Sequence, residues 1–246
     1  MIKENSAERD KARSDAVDGV LGRLADGYFR VEVSGTEHIP ATGPALLVSN
    51  HSGAWGLDGL VLHKLLRERT ARSVHFYVSP LLYRVPALAA YVSRHGAFTD
   101  DPTLGHDLLA RGELVGVFPE GTDGVGKDFS RRYRLRPFSP GFAATAVLTG
   151  APIVPVSVVG AEETYPKLGE IRALARRFDL PYFPVTTLLP LPAKWLVTVG
   201  EPIPAPPAPA SFARRAAVTR RLCDEAWFTV QGMIDRDLRR RTTPFW

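Results

Sequence analysis

The sequence predicts an α/β fold: a single domain with a mixed, largely parallel sheet flanked by helices. Three observations carry this. Compact apolar runs recur at 45–49, 114–118 and 153–159, each of strand length. Stretches with apolar residues at helical spacing lie between them. Strands alternating with helices are the signature of parallel pairing, because a parallel pair needs a long crossover connection.

Each element follows in order. Residues 7–28 place Val17, Val20, Leu21, Leu24 and Tyr28 at helical spacing. Arg30 to Val33 reads as a short strand, and Glu37 to Pro44 as a turn-rich loop. Ala45 to Ser49 is a compact apolar strand followed by a helix over 57–67. Val74 to Val78 is a strand, and Pro86 to Val92 is helical. Residues 102–111 form a helix with Pro102 in its first turn, where a missing N–H costs nothing. Leu114 to Phe118 and Ile153 to Val159 are buried strands flanking a helix over 141–148. Trp195 to Val199 is the last strand.

The chain divides into four segments: an N-terminal helical segment over 1–30, a main domain over 31–202, a proline-rich connector over 203–210, and a C-terminal helix over 211–246 packed on the domain. Nine of the 21 prolines fall between Pro181 and Pro209, which stiffens that region.

At 246 residues with 45% hydrophobic and 23% charged content, the chain can bury a sizeable core and is not disordered in character. Cys223 is the only cysteine, which excludes an intramolecular disulfide and a multi-cysteine zinc site and fits a reducing compartment. Met1 to Arg30 holds six basic and six acidic residues and lacks the pattern of a signal peptide. The charge-free stretch Pro137 to Ala161 is broken by prolines and glycines and reads as helix, turn and buried strand rather than a membrane span. The net charge of +5 suits an anionic partner: nucleic acid, a membrane surface or a phosphorylated substrate. The excess sits in three patches, +4 over Lys127–Arg136, +3 over Lys167–Arg177 and +4 over Ser211–Arg241.

Loops beyond the carboxyl ends of parallel strands are where chemistry collects. Two such loops carry candidate groups. After Ser49 come Asn50 and His51, with Asp58 seven residues beyond His51 and Gly53 and Gly56 between them. A carboxylate orients an imidazole and stabilises its charged form, leaving the other nitrogen as a base. A loop histidine beside a helix-capping aspartate is the plainer alternative. After Phe118 come Pro119, Glu120, Gly121 and Thr122. That stretch suits hydroxyl binding, or simple turn chemistry. In the basic stretch beyond it, Arg131, Arg132 and Arg134 interleave with aromatics, a pattern that suits phosphate capture, RNA stacking or salt bridging.

Asn50-His51 with Asp58, then Phe118-Pro119-Glu120-Gly121-Thr122, then Gly150-Ala151-Pro152-Ile153-Val154-Pro155-Val156 resemble, in order, the motifs of the glycerolipid acyltransferase family, of which lysophosphatidic acid acyltransferases are the best-known members. The resemblance covers about Val31 to Pro202, so the domain over 31–202 is expected to be the acyltransferase domain. Two departures stand out. Six residues separate His51 from Asp58 where the family usually has four. The arginine that usually follows a glycine in the second motif is absent: Gly96-Ala97-Phe98 leads into Thr99-Asp100-Asp101, with Arg94 preceding the glycine.

The resemblance implies transfer of a fatty acyl group from acyl-coenzyme A or acyl carrier protein to a hydroxyl of a lysophospholipid or related lipid. His51 is then the general base and Asp58 its partner. Asn50, Glu120, Gly121 and Thr122 are expected to bind substrate, and Arg131, Arg132 and Arg134 to contact phosphate. No metal or cofactor is expected beyond the acyl thioester, and Cys223 plays no part. The expected partners are the lipid acceptor, the thioester donor and a membrane surface, with no nucleic acid. The expected location is cytoplasmic, peripheral on the inner face of the membrane. Two faces are candidates for that attachment: Leu81, Leu82, Tyr83, Val85 and Leu88, and the segment 180–191 with Tyr182, Phe183, Leu188 and Leu189. Thioester hydrolysis by the same pair, transfer to a non-glycerolipid acceptor and a non-catalytic binding module are the alternatives.

Overall fold

The computed structural model describes residues 2–70, 72–99 and 101–245. Asp100, one of the acidic residues that stand where the family has its arginine, lies outside them.

In chain order the elements are α1 (Ile2–Arg23), which ends in a π-helical turn over Leu24–Tyr28, then β1 (Glu32–Ser34), β2 (Ala45–Ser49), α2 (Leu57–Arg69), β3 (Val74–Phe76), α3 (Pro86–Arg94), α4 (Pro102–Ala110) and β4 (Leu114–Val117). There follow α5 (Thr122–Val125), α6 (Gly141–Thr149), β5 (Ile153–Val159), α7 (Ala161–Thr164), β6 (Gly169–Glu170), α8 (Arg172–Arg177), β7 (Pro184–Val185), β8 (Leu196–Val199) and α9 (Phe212–Arg240).

Six strands form one sheet in the order β1-β8-β5-β2-β4-β3. The four neighbours β5, β2, β4 and β3 are mutually parallel, so their carboxyl ends open on one edge. β8 runs antiparallel to β5, and β1 parallel to β8. The sheet is therefore mixed and mostly parallel. A second, two-stranded sheet pairs β6 with β7.

Both central strands are buried along their whole length, as expected of a parallel sheet covered on two faces. The pleat sends successive side chains to opposite sides. Leu47 joins a core formed with Val61, Leu62 and Leu65 of α2, Leu21 at the end of α1, and Tyr91 of α3. Leu46 and Val48 join the core on the other face, with Leu108 and Leu109 of α4, Ala143 and Val147 of α6, and Leu222, Ala226, Val230 and Ile234 of α9.

Local sequence explains several boundaries. Asp101 caps α4, its side chain accepting from the N–H groups of Thr103 (2.9 Å) and Leu104 (3.3 Å). An acidic residue near the place of the family arginine thus starts a helix. The charge-free stretch becomes α6, a left-handed turn at Gly150 and β5. Among the described residues no helix is long and apolar enough to cross a membrane. The start of the proline-rich connector stays on the domain: Ile203 exchanges both backbone hydrogen bonds with Ile153, at 2.9 and 2.7 Å.

The structure departs from the sequence reading at short elements. The N-terminal helix gives way to a π turn over its last five residues, which delivers Phe29 to a stack on Trp195, centroids 4.8 Å apart. The first strand sits at Glu32–Ser34 rather than 30–33. The short helices α5, α7 and α8 and the β6–β7 pair carry too few residues for periodicity to register.

Candidate active site

Three loops converge at the open edge of the sheet, after β2, β4 and β5. Asn50 follows β2 directly. Its buried amide donates to the Val158 carbonyl (2.9 Å) and accepts from the Val158 N–H (2.8 Å), clipping the end of β2 to β5. His51 leaves the sheet from that fixed point.

The carboxylate of Asp58 is fully buried in the first turn of α2. Its Oδ2 lies 2.9 Å from His51 Nδ1 and accepts the Ser52 N–H at 2.6 Å. The bend that allows this is made by Gly53 and Gly56, at φ 81° and 66°, with the Gly56 N–H donating to the Gly53 carbonyl. The two residues beyond the family spacing are absorbed in this turn. Gly53 also lets the loop pass α7 closely, since a Cβ there would stand 2.9 Å from the Ala161 carbonyl oxygen.

A carboxylate only accepts, so Nδ1 is the donor, and in the neutral imidazole Nε2 keeps the lone pair. The imidazole lies on the Phe118 ring, centroids 4.3 Å apart, and 19% of its side chain reaches solvent. The outcome is an imidazole with an oriented Nδ1, an apolar backing and partial access to solvent, an arrangement that can serve a base.

Glu120, after β4, supports this arrangement from beneath. It is buried, accepting the His51 N–H at Oε1 (3.0 Å) and the Arg136 N–H at Oε2 (2.7 Å). Lys127 Nζ sits 3.3 Å from Glu120 Oε2 and 3.0 Å from Glu162 Oε1. Glu162, at the start of α7, also accepts the Tyr133 N–H at 2.7 Å. Burial pushes its carboxyl up to about 7, against the pull of Lys127. The Tyr133 hydroxyl accepts from the Gly160 N–H (3.1 Å) and from Arg241 (3.2 Å), and Arg241 pairs with Glu163 at 2.5 Å. The segment after α9 therefore reaches the far wall of the same network. Gly124 of α5 packs against the site so tightly that a Cβ there would meet Glu120 Cβ at 2.8 Å and the His51 carbonyl oxygen at 2.9 Å.

The expected site residues thus divide. His51, Asp58, Asn50 and Glu120 come together in one hydrogen-bonded group, the last two holding backbone. Gly121 and Thr122 are exposed at the start of α5. Arg131, Arg132 and Arg134 are exposed beyond it, with the Arg132 guanidinium 4.4 Å from the Phe129 ring centroid. The basic stretch is not one surface: Lys127, its first residue, is buried between two carboxylates. The sequence reading missed that role and those of Ser52, Tyr133, Glu162 and Arg241. One signal was present, because Glu162 and Glu163 follow a mostly apolar strand just as His51 and Glu120 do. Cys223 is buried in α9, its thiol 3.7 Å from the Phe138 carbonyl oxygen and away from this group. No cluster of three metal-ligating side chains occurs among the described residues.

Comparison with known proteins agrees with the fold and motifs. An uncharacterized protein of Mycobacterium leprae is 41% identical over 230 residues, covering 89% of this chain and 63% of that protein. A Mycobacterium tuberculosis protein is 40% identical over 89% of this chain and 64% of its own length. The chain thus spans a little under two thirds of these relatives. A Gallus gallus protein described as a DGAT1/2-independent enzyme synthesizing storage lipids is 30% identical over 76% of this chain and 58% of its own. The crystal structure of the 1-acyl-sn-glycerophosphate (LPA) acyltransferase PlsC from Thermotoga maritima superposes with a TM-score of 0.64 at 20% identity, over 96% of this chain and 84% of that one, and shares its fold. The Acyltransferase family model matches residues 30–159, just over half the chain, including the loops after β2 and β4 and ending with β5. The chain belongs to the acyltransferase family, whose glycerolipid members its ordered motifs resemble.

Proposed function

We propose that the chain moves a fatty acyl group from a thioester, acyl-coenzyme A or acyl carrier protein, to a hydroxyl of a lysophospholipid or related lipid. The observation that carries this reading is the His51–Asp58 pair at 2.9 Å, set at the carboxyl end of a parallel strand with part of the imidazole reaching solvent. Nε2 takes the acceptor's hydroxyl proton as the oxygen attacks the thioester carbonyl. The imidazolium that forms is stabilised by Asp58. Collapse of the tetrahedral intermediate breaks the C–S bond, and the leaving thiolate takes the proton from His51. No acyl-enzyme forms, and no metal enters the scheme.

Asn50 and Glu120 act through the backbone that carries His51. Gly121 and Thr122 border the acceptor, and the exposed Arg131, Arg132 and Arg134 meet its phosphate or that of the donor. The Gallus gallus relative's description supports lipid synthesis as the setting. The protein works peripherally at the cytoplasmic face of a membrane, where such acceptors reside.

The test is incubation with labelled acyl-coenzyme A, or acyl carrier protein, and a panel of lysolipids and lipid alcohols, with products read by mass spectrometry. An acylated lipid formed by the wild type and lost in His51→Ala is the expected result. Thiol release that no acceptor accelerates would instead make the protein a thioesterase.

A further inference from the structure

Exposed large apolar side chains are not spread evenly over this molecule. Leu168, Ile171, Phe178, Val185, Leu188 and Leu189 all fall within 22 residues, and Leu188 and Leu189 are 99% and 76% exposed. The segment that carries them, residues 165–194, leaves the main sheet after α7 and returns at β8. It folds around the β6–β7 pair, with α8 between the two strands. Leu168 is tied to Val185 by a backbone hydrogen bond of 2.9 Å, and Ile171 to Phe183 by one of 2.8 Å. Phe178 stacks on Phe183, with centroids 6.1 Å apart.

This insertion abuts the catalytic loop. Half-exposed Trp55, between His51 and Asp58 in sequence, meets the Phe183 ring edge-on at 5.9 Å. The Tyr182 hydroxyl donates to the Ala54 carbonyl at 2.9 Å. The same segment is basic, netting +3 between Lys167 and Arg177. Glu170 engages Lys167 and Arg172, and Asp179 engages Arg84. Arg176 and Arg177 are exposed without an acidic partner among the described residues, and the Arg177 guanidinium lies over Phe178.

We propose that the insertion 165–194 is the surface by which the protein docks on an anionic bilayer, with Leu188 and Leu189 entering the acyl region and Arg176 and Arg177 meeting lipid phosphates. Aliphatic and aromatic side chains flanked by arginines match the layered chemistry of such an interface, apolar below and anionic above. A soluble partner gives no such reason for combining two adjacent exposed leucines with unpaired arginines in one insertion. The docked orientation sets Trp55, and with it the loop that carries His51, beside the bilayer from which an acceptor must come. That last consequence rests on the acyl-transfer reading; the docking itself does not.

The experiment is co-sedimentation of the full chain with phosphatidylglycerol/phosphatidylcholine vesicles and with phosphatidylcholine vesicles alone. The wild type, Leu188→Ser/Leu189→Ser and Arg176→Gln/Arg177→Gln are compared, with thermal unfolding as a check on folding. The wild type is expected to prefer the anionic vesicles. The leucine variant should bind them at least tenfold more weakly, and the arginine variant should lose the preference for anionic lipid. Neither variant should shift its unfolding midpoint or slow acyl transfer to a short-chain acceptor kept monomeric. Wild-type binding by both variants overturns the proposal. So does failure of the wild type to bind, with a self-association that Leu188→Ser/Leu189→Ser abolishes, because the face then covers a second copy. If vesicle binding is lost as expected while no preparation transfers acyl groups, the docking surface stands and the proposed reaction falls.

Discussion

The loops around His51 and the insertion beside them touch, yet they are built on opposite terms. In the site the charged groups are buried close to one another: Asp58, Glu120, Lys127 and Glu162 lie within one network of hydrogen bonds and ion pairs that reaches from β2 to the segment after α9, with Asp58 Oδ1 buried without a hydrogen-bond partner among the described residues. In the insertion, Leu168, Phe178, Leu188 and Leu189 stand in solvent and the arginines are exposed. The contrast shows where geometry is fixed in advance and where a surface awaits a partner. A base must be held to a fraction of an ångström, and buried charge-assisted hydrogen bonds do that. A docking face needs apolar area and charge but little internal order.

This contrast is broken or sharpened by four measurements. His51→Ala should lower acyl transfer by roughly 10²–10⁴-fold, the usual range for loss of a general base, with little change in unfolding. Activity near the wild-type rate would remove His51 from the chemistry. Lys127→Met leaves two buried carboxylates without their cation. A loss of about 3–5 kcal/mol in denaturant unfolding is expected, because breaking a buried pair strands the remaining charge. A loss below about 1 kcal/mol would show that the network is solvated and not a rigid floor.

The deep side of α2 gives a pH signature. His63 is buried beside Tyr91, and burial, with His95 and Arg67 nearby, holds its pKa down at about 4. In an unfolded chain it titrates near 6.5, so on acidification the unfolded state takes up the proton first. The stability from neutral His63 is therefore fully present above about pH 6.5. It falls as pH drops toward 4, by up to about 3 kcal/mol. His63→Leu should flatten that part of the profile, and an unchanged slope would show that His63 is hydrated in the fold. The smallest effect belongs to the insertion: Leu188→Ser should change unfolding free energy by less than about 0.5 kcal/mol, as expected for a side chain that packs on nothing. A larger loss would mean that the leucines are core.

Much of the architecture was legible because periodicity and composition report burial. The apolar runs at 45–49 and 153–159 needed no tertiary information to be read as covered strands, and His51 and Glu120 stood out by directly following such runs. The short elements were not legible, since four residues of α5 or α7 contain barely one helical turn. The pairing of Lys127 with Glu120 and Glu162 was invisible for a different reason. Glu162 lies 35 residues beyond Lys127 in sequence, and nothing local distinguishes that lysine from the arginines that follow it. For the insertion, sequence singled out Leu188 and Leu189 together with Tyr182 and Phe183, but not which of them face solvent. The structure half-buries Tyr182 and Phe183 and exposes the leucines.

By itself the sequence determined the α/β class, the order of the motifs and the identity of a histidine–aspartate pair, because strand and helix periods and loop chemistry are local properties. Only the tertiary structure decided that a six-residue separation still closes to 2.9 Å, that Lys127 is buried while Arg131 is not, and that the apolar insertion borders the loop that carries His51. Those outcomes depend on which distant segments share a neighbourhood, and parallel strand pairing, which joins residues far apart in the chain, sets that neighbourhood.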